Sequence, residues 1–86
     1  MNLEYRVRIV PGAERDLSRL VPRVRRRIEE ALRALARDPR PRGALKLVDS
    51  LMWRLRVGDY RVLYTIRDEE RLVRVLALGH RREAYR

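Results

Sequence analysis

Residues 53–66 decide the fold: Trp53-Arg54-Leu55-Arg56-Val57-Gly58-Asp59-Tyr60-Arg61-Val62-Leu63-Tyr64-Thr65-Ile66. Trp53, Leu55 and Val57 alternate with Arg54 and Arg56, the period of two expected of a strand with one apolar and one polar face. Gly58-Asp59 turns the chain. Tyr60, Val62, Tyr64 and Ile66 then alternate with Arg61, Leu63 and Thr65, so the stretch reads as a β-hairpin. Trp53, Tyr60 and Tyr64 fall in register with the apolar residues and are assigned to packing. Arg54, Arg56 and Arg61 fall on the other parity. Residues flanking a hairpin turn come close in space, and facing like charges cost about 0.2–1 kcal/mol per pair. A polyanionic ligand would relieve that repulsion, and so would water around a free sheet face; charge spacing leaves both readings open.

Working outward, Asp68-Glu69-Glu70 marks a second turn, the apolar run Leu72 to Leu78 a further strand, and Gly79 its end. Toward the N-terminus, Leu3, Tyr5, Val7 and Ile9 alternate with Glu4, Arg6 and Arg8, which predicts a first strand closed by Pro11-Gly12. Ala13, Leu17, Leu20 and Val21 recur at helical spacing. Pro22 then suits the first position of a second helix, whose Val24, Ile28, Ala31, Leu32 and Leu35 form one apolar stripe. Most of its charged residues, among them Arg23, Arg26, Arg27, Glu30, Arg33 and Arg37, lie off that stripe, and Glu29 and Arg33 make a favourable pair four residues apart. Asp38-Pro39 stops the helix, because the residue before proline is pushed out of the helical region. Pro39-Arg40-Pro41-Arg42-Gly43 follows as a basic loop.

The expected fold class is α+β: an N-terminal strand, a two-helix hairpin, then a three-stranded antiparallel meander, all in one antiparallel sheet with the helices on one face. With 86 residues and neither repeat nor linker, residues 1–86 form a single domain. The sheet face left uncovered by the helices is where function is expected.

Composition narrows the classes. The net charge is +10, from 22 basic and 12 acidic residues, and Lys46 is the only lysine. Arginine binds phosphate bidentately and stacks on bases, so an arginine-made field favours nucleic acid or an acidic protein. Cysteine is absent and His80 is the only histidine, which removes disulfides and thiolate zinc sites and calls for no metal or cofactor. The alternating N-terminus is unlike a signal peptide, and no apolar run reaches the length of a membrane span. A cytoplasmic protein is expected.

Gly79-His80-Arg81-Arg82-Glu83-Ala84-Tyr85-Arg86 brings basic side chains, a histidine and a tyrosine directly after an apolar strand. Metal-free RNA cleavage needs a 2′-hydroxyl held in line with its phosphate, cations for the charge that builds on phosphorus, and groups to move two protons. Arginines with His80 and Tyr85 supply those types. A frayed basic tail, or a tyrosine packed on its own sheet, is the plain alternative.

On these residues the chain resembles the RelE family of the RelE/ParE toxin superfamily. The likeness spans nearly the whole chain: Ala13-Glu14-Arg15-Asp16-Leu17, the Pro22-led helix, Asp38-Pro39-Arg40-Pro41 and, most specifically, residues 53–64 and 79–85. The resemblance implies a type II toxin that cuts mRNA at the ribosomal A site, leaves a 2′,3′-cyclic phosphate, and is silenced by a RelB-like antitoxin in a hetero-oligomer. It casts Arg61 as the arginine at the scissile phosphate, Arg81 as the one that neutralises phosphorane charge, and Tyr85 as the residue that stacks on a base and orients the ribose. Lys46 and Arg82 join Arg54 and Arg56 as expected RNA contacts. Arg54 and Arg56 stand where family members carry lysines, and a guanidinium that stays protonated is a poor general base. Base duty then falls either to His80, since an unperturbed imidazole titrates at ~6.5, or to an unidentified group. Two rivals stand beside this reading: a ParE-like DNA gyrase inhibitor without RNase activity, on the same fold but in a group that generally lacks the combination of Arg61, Arg81 and Tyr85, and a non-catalytic nucleic-acid-binding module that uses the same basic face.

Overall fold

Pro11 and Pro22 each open a helix, since proline lacks the N–H that the first turn cannot use and its fixed φ is already helical. In the computed structural model, which describes residues 4–80, α1 runs Pro11–Ser18 and α2 Pro22–Ala34. α1 is shorter than its apolar spacing suggests. Val21 is 62% exposed and precedes α2 as its N-cap, so it does not extend the buried stripe of α1. α2 tightens at its end, where Leu35 N–H donates to Leu32 O and Ala36 N–H to Arg33 O, before Asp38-Pro39 ends it.

The strands are β1 (Arg6–Ile9), β2 (Leu45–Lys46), β3 (Met52–Val57), β4 (Tyr60–Arg67) and β5 (Leu72–His80), in sheet order β1-β5-β4-β3-β2. The α+β class and the meander are as expected. Two details differ. A two-residue edge strand, β2, pairs antiparallel with β3, and β1 runs parallel to β5. The sheet is therefore mixed and five-stranded. The parallel pair arises because the helical hairpin carries the chain away from β1 before the meander starts, and the third meander strand returns beside β1 in the same direction.

Between β3 and β4, Val57 faces Tyr60 across the two-residue turn Gly58-Asp59. Gly58 has φ +60°, and glycine first in a two-residue turn is the choice that matches strand twist. The Arg27 guanidinium lies 3.1 Å from where a Cβ on Gly58 would stand, so a side chain there would have to displace the arginine tip by a few tenths of an ångström in addition to adopting a strained dihedral.

One face of the sheet makes the core. Ala13 and Leu17 of α1 and Ile28, Leu32 and Leu35 beside them pack on Leu55, Val62, Tyr64, Val73, Val75 and Leu78. Tyr64 is fully buried and its hydroxyl donates 2.8 Å to the Pro39 carbonyl, which ties the loop after α2 to the sheet. Burial pushes the Tyr64 phenol up to about 12. A second tie lies at the surface: Arg40 donates twice to Asp68, at 2.9 and 3.2 Å, and Tyr5 donates to the same carboxylate. The Arg40 hydrogen bond holds the Asp68 carboxyl below the usual range, and the Asp68 hydrogen bond raises the Tyr5 phenol. The Arg40 guanidinium also sits 5.4 Å from the Trp53 ring centroid. Among the described residues no helix is long and apolar enough to cross a membrane.

Candidate nucleic-acid interface

The strand register determines which side chains share the face away from the helices. Leu55 faces Val62 and Trp53 faces Tyr64, so their parity belongs to the core. Arg56 faces Arg61 and Arg54 faces Leu63, so all three hairpin arginines stand on the helix-free face, as their alternation predicts. Thr65 and Arg67 continue that parity along β4, and Thr65 is opposite Arg74 of β5. Arg74 in turn is opposite Arg8, with Arg6 two residues earlier on β1. Seven arginines therefore share one face across four strands, and the described strand positions of that parity carry no carboxylate.

Such a face works against itself in the absence of an anion. Arg56–Arg61 and Arg8–Arg74 are directly facing like charges, each costing about 0.2–1 kcal/mol. Arg54 stands diagonal to Arg61, at about 7–8 Å between backbone positions in a regular antiparallel pair. Its Nε is buried and has no hydrogen-bond acceptor among the described residues. A buried N–H without an acceptor costs about 1–3 kcal/mol, so this donor favours a bound oxygen acceptor. Arg56 uses its Nε on the Gly58 carbonyl at 3.4 Å, which holds the side chain along the turn. Arg61 is half-buried.

The expected site residues divide three ways. Arg54, Arg56 and Arg61 come together. Arg81, Arg82 and Tyr85 lie outside the described residues. His80 and Lys46 are separated from the hairpin arginines. His80 faces Tyr60 in register, its ring 5.6 Å from the Tyr60 ring edge-on, and it lines a depression with Asp16 and Arg19 of the helical side. The expectation that His80 shares the arginine groove is thus corrected: its parity is that of Tyr60, across the sheet from Arg61. Lys46 faces Trp53 and so does not share the parity of Arg54. Arg6, Arg8, Arg67 and Arg74 belong to the face and were not expected there. The alternation of Arg6 and Arg8 with Val7 and Ile9 carried the signal, but only the parallel β1–β5 pairing places them beside Arg74.

The structure is thus a mixed five-stranded sheet with two helices on one face and arginines on the other. Residues 7–85 match the family of the ParE toxin of type II toxin–antitoxin systems. The chain is 37% identical to toxin RelG of Mycobacterium tuberculosis, over 98% of this chain and 99% of RelG. Its fold superposes on the RelBE2 toxin–antitoxin complex of Mycobacterium tuberculosis with a TM-score of 0.78 at 35% identity, covering 90% of this chain and 98% of that one. With the archaeal RelE–RelB complex of Pyrococcus horikoshii the TM-score is 0.79 at 31% identity, covering 98% and 100%. The chain belongs to the RelE/ParE superfamily of type II toxins.

Proposed function

We propose that this toxin is a metal-independent endoribonuclease that cuts mRNA at the ribosomal A site. The observation that carries the reading is the convergence of Arg56, Arg61 and Arg54 at one end of a sheet face whose described strand positions carry no carboxylate. In the reaction the ribose 2′-oxygen attacks the adjacent phosphorus, the 2′-O–P bond forms and the P–O5′ bond breaks. The 2′-hydroxyl proton goes to an acceptor and another proton reaches O5′, giving a 2′,3′-cyclic phosphate and a 5′-hydroxyl. Negative charge accumulates on the non-bridging oxygens, where fixed guanidinium donors stabilise it more than they stabilise the ground state. Arg61 takes the scissile phosphate, with Arg54 and Arg56 as electrostatic clamps. Arg81 takes phosphorane charge, Tyr85 stacks on a base and orients the ribose, and Arg82 contacts RNA backbone. Because His80 lies across the sheet, the reading gives it no general-base role. His80→Ala is expected to cut with an unchanged pH profile between pH 5 and 8.

The face needs a partner that neutralises it between uses. The similar RelBE2 and RelE–RelB structures are toxin–antitoxin complexes, which supports a RelB-like antitoxin bound to this chain in a hetero-oligomer. On this reading the protein acts in the cytoplasm, where ribosomes hold its mRNA substrate. The test is purified toxin added to programmed ribosomes, with cut sites mapped on the mRNA and Arg61→Ala alongside. Loss of one transition-state donor lowers the rate about 10²–10³-fold. Intact mRNA with the parent protein overturns the reading.

The match to the ParE family supports a second reading, a DNA gyrase inhibitor without RNase activity. A supercoiling assay separates the two. Stoichiometric inhibition of gyrase with no mRNA cleavage selects it.

A further inference from the structure

At the end of β4 away from the Gly58 turn, the sheet carries a depression of about 410 Å³ that the cleavage chemistry leaves unused. Small-ligand sites begin at about 300 Å³, so it has room for a nucleotide. Its wall holds Lys46, Arg67 and Arg74 together with Arg40, against the one carboxylate of Glu69. Arg40 is committed to Asp68 at 2.9 Å. Arg67 stands 3.6 Å from Glu70, but both are well exposed, and such surface pairs hold weakly. Lys46 and Arg74 are exposed and carry no such pairing in the described structure. Trp53 and Ile66, both half-buried, add an apolar wall.

Cations beside an aromatic surface are what a nucleotide of single-stranded RNA requires: the phosphate meets the cations and the base lies against indole and aliphatic carbon. The depression is also on the right track. Arg67 follows Arg61 by six residues along β4, about 20 Å at ~3.3 Å per residue. Arg67 and Arg74 share the helix-free parity with Arg61, whereas Lys46, Trp53 and Ile66, which also line the depression, have the opposite parity. We infer that this depression is a second nucleotide subsite for the same RNA strand, several nucleotides from the bond held at Arg61. The inference rests on the endoribonuclease reading and adds to it the length of RNA the toxin grips. It also gives Lys46 a place on RNA away from the hairpin arginines.

Trp53 is the only tryptophan, so its fluorescence reports occupancy directly. The experiment titrates the toxin with a ladder of uncleavable 2′-O-methyl RNAs, following both Trp53 emission and the salt dependence of binding. RNAs long enough to reach from Arg61 to the depression quench Trp53, and shorter ones leave it unchanged. A Lys46→Ala/Arg74→Ala double variant loses the length-dependent quench, and its log–log salt slope on long RNA falls by about 1.4, at ~0.7 for each phosphate no longer neutralised. Should the double variant unfold, Lys46→Gln and Arg74→Gln singly carry the same test, each lowering the slope by about 0.7. Quenching that ignores RNA length, or an unchanged slope, overturns the subsite. So does quenching by an acidic peptide but not by RNA. If ribosome-bound mRNA is cut while the double variant keeps parental slope and quench, the subsite falls and the endoribonuclease reading stands. Length-dependent quenching without any cutting overturns that reading and supports the subsite.

Discussion

Tyr64→Phe makes a prediction whose sign reverses with pH. The Tyr64 side chain is fully buried, and its hydroxyl donates 2.8 Å to Pro39 O in the loop that leaves α2. Phenylalanine keeps the ring packing but leaves that buried carbonyl without its donor, a loss of about 1–2 kcal/mol at neutral pH. For a chain of this size that lowers Tm by about 4–8 °C per kcal/mol. Alkaline solution removes the advantage. Burial raises the folded phenol from its ordinary 10.0 to about 12, because the phenolate is disfavoured in the core. The unfolded chain therefore sheds this proton first as pH rises, and every unit between those two values stabilises the unfolded state. The contribution of Tyr64 is fully present below pH 10 and is lost as pH rises toward 12, a total of about 3 kcal/mol with about half gone at pH 11. The phenylalanine variant has no such proton to lose. All other titrating groups are common to both proteins and cancel in the difference. Urea unfolding of the two proteins from pH 7 to 11.5 should show the parent more stable at first and the curves crossing at about pH 11. A constant gap across that range would refute the argument, since it would mean that the folded Tyr64 ionises as freely as an unfolded one.

Arg56→Gln removes one of two facing like charges and should stabilise the free toxin by about 0.2–1 kcal/mol at low salt. That gain should fade as the Debye length falls to about 3 Å at 1 M salt, and urea midpoints in the two buffers check it. Gly58→Ala places a β-carbon at φ +60° against Arg27 and should cost about 1–2 kcal/mol, read as a lowered Tm. The Asp68 carboxyl is held below its ordinary 3.8 by Arg40, so the pairing contributes above that pH and is lost as pH falls through the folded value. In an NMR titration Arg40→Ala should move the Asp68 midpoint up toward 3.8, and an unmoved midpoint would assign the depression to something else.

What the sequence revealed of the fold follows from where its patterns are redundant. Residues 53–66 alternate over two full strands around a glycine turn, so parity, turn and pairing all agree, and the structure pairs Val57 with Tyr60 as that pattern requires. The start of α2 was legible because Pro22 opens an apolar stripe, whereas Pro11-Gly12 read as the end of the first strand and are the first two residues of α1. β2 was not, since Leu45–Lys46 is too short for any period to register. Its brevity also hid the parity of Lys46, which only the pairing with Trp53 fixes. The parallel docking of β1 was equally hidden. Alternation in Tyr5, Val7 and Ile9 says that a strand has a core face but not which strand it joins, so the addition of Arg6 and Arg8 to the arginine face required the sheet order.

The misplacement of His80 has a different cause, and it bears on the chemistry. Val73 and Val75 of β5 are core residues opposite Ile66 and Tyr64, and simple alternation from them would carry Ala77 and Gly79 to the core and His80 to the arginine face. The register instead shifts between Leu63 and Tyr64 of β4, which face Ala77 and Val75, so Leu76 is an extra residue on β5. One inserted residue exchanges the two faces for everything beyond it. Leu78 therefore enters the core and His80 joins Tyr60, while Gly79 becomes the neighbour of Arg61. Nothing in Val75-Leu76-Ala77-Leu78 announces the shift, because apolar residues occupy both parities and suit either face. The same bulge leaves the arginine cluster with a glycine, rather than an imidazole, across from Arg61. On the endoribonuclease reading proposed above, the proton acceptor for the 2′-hydroxyl comes from elsewhere, and the hairpin contributes guanidinium groups that stay charged throughout.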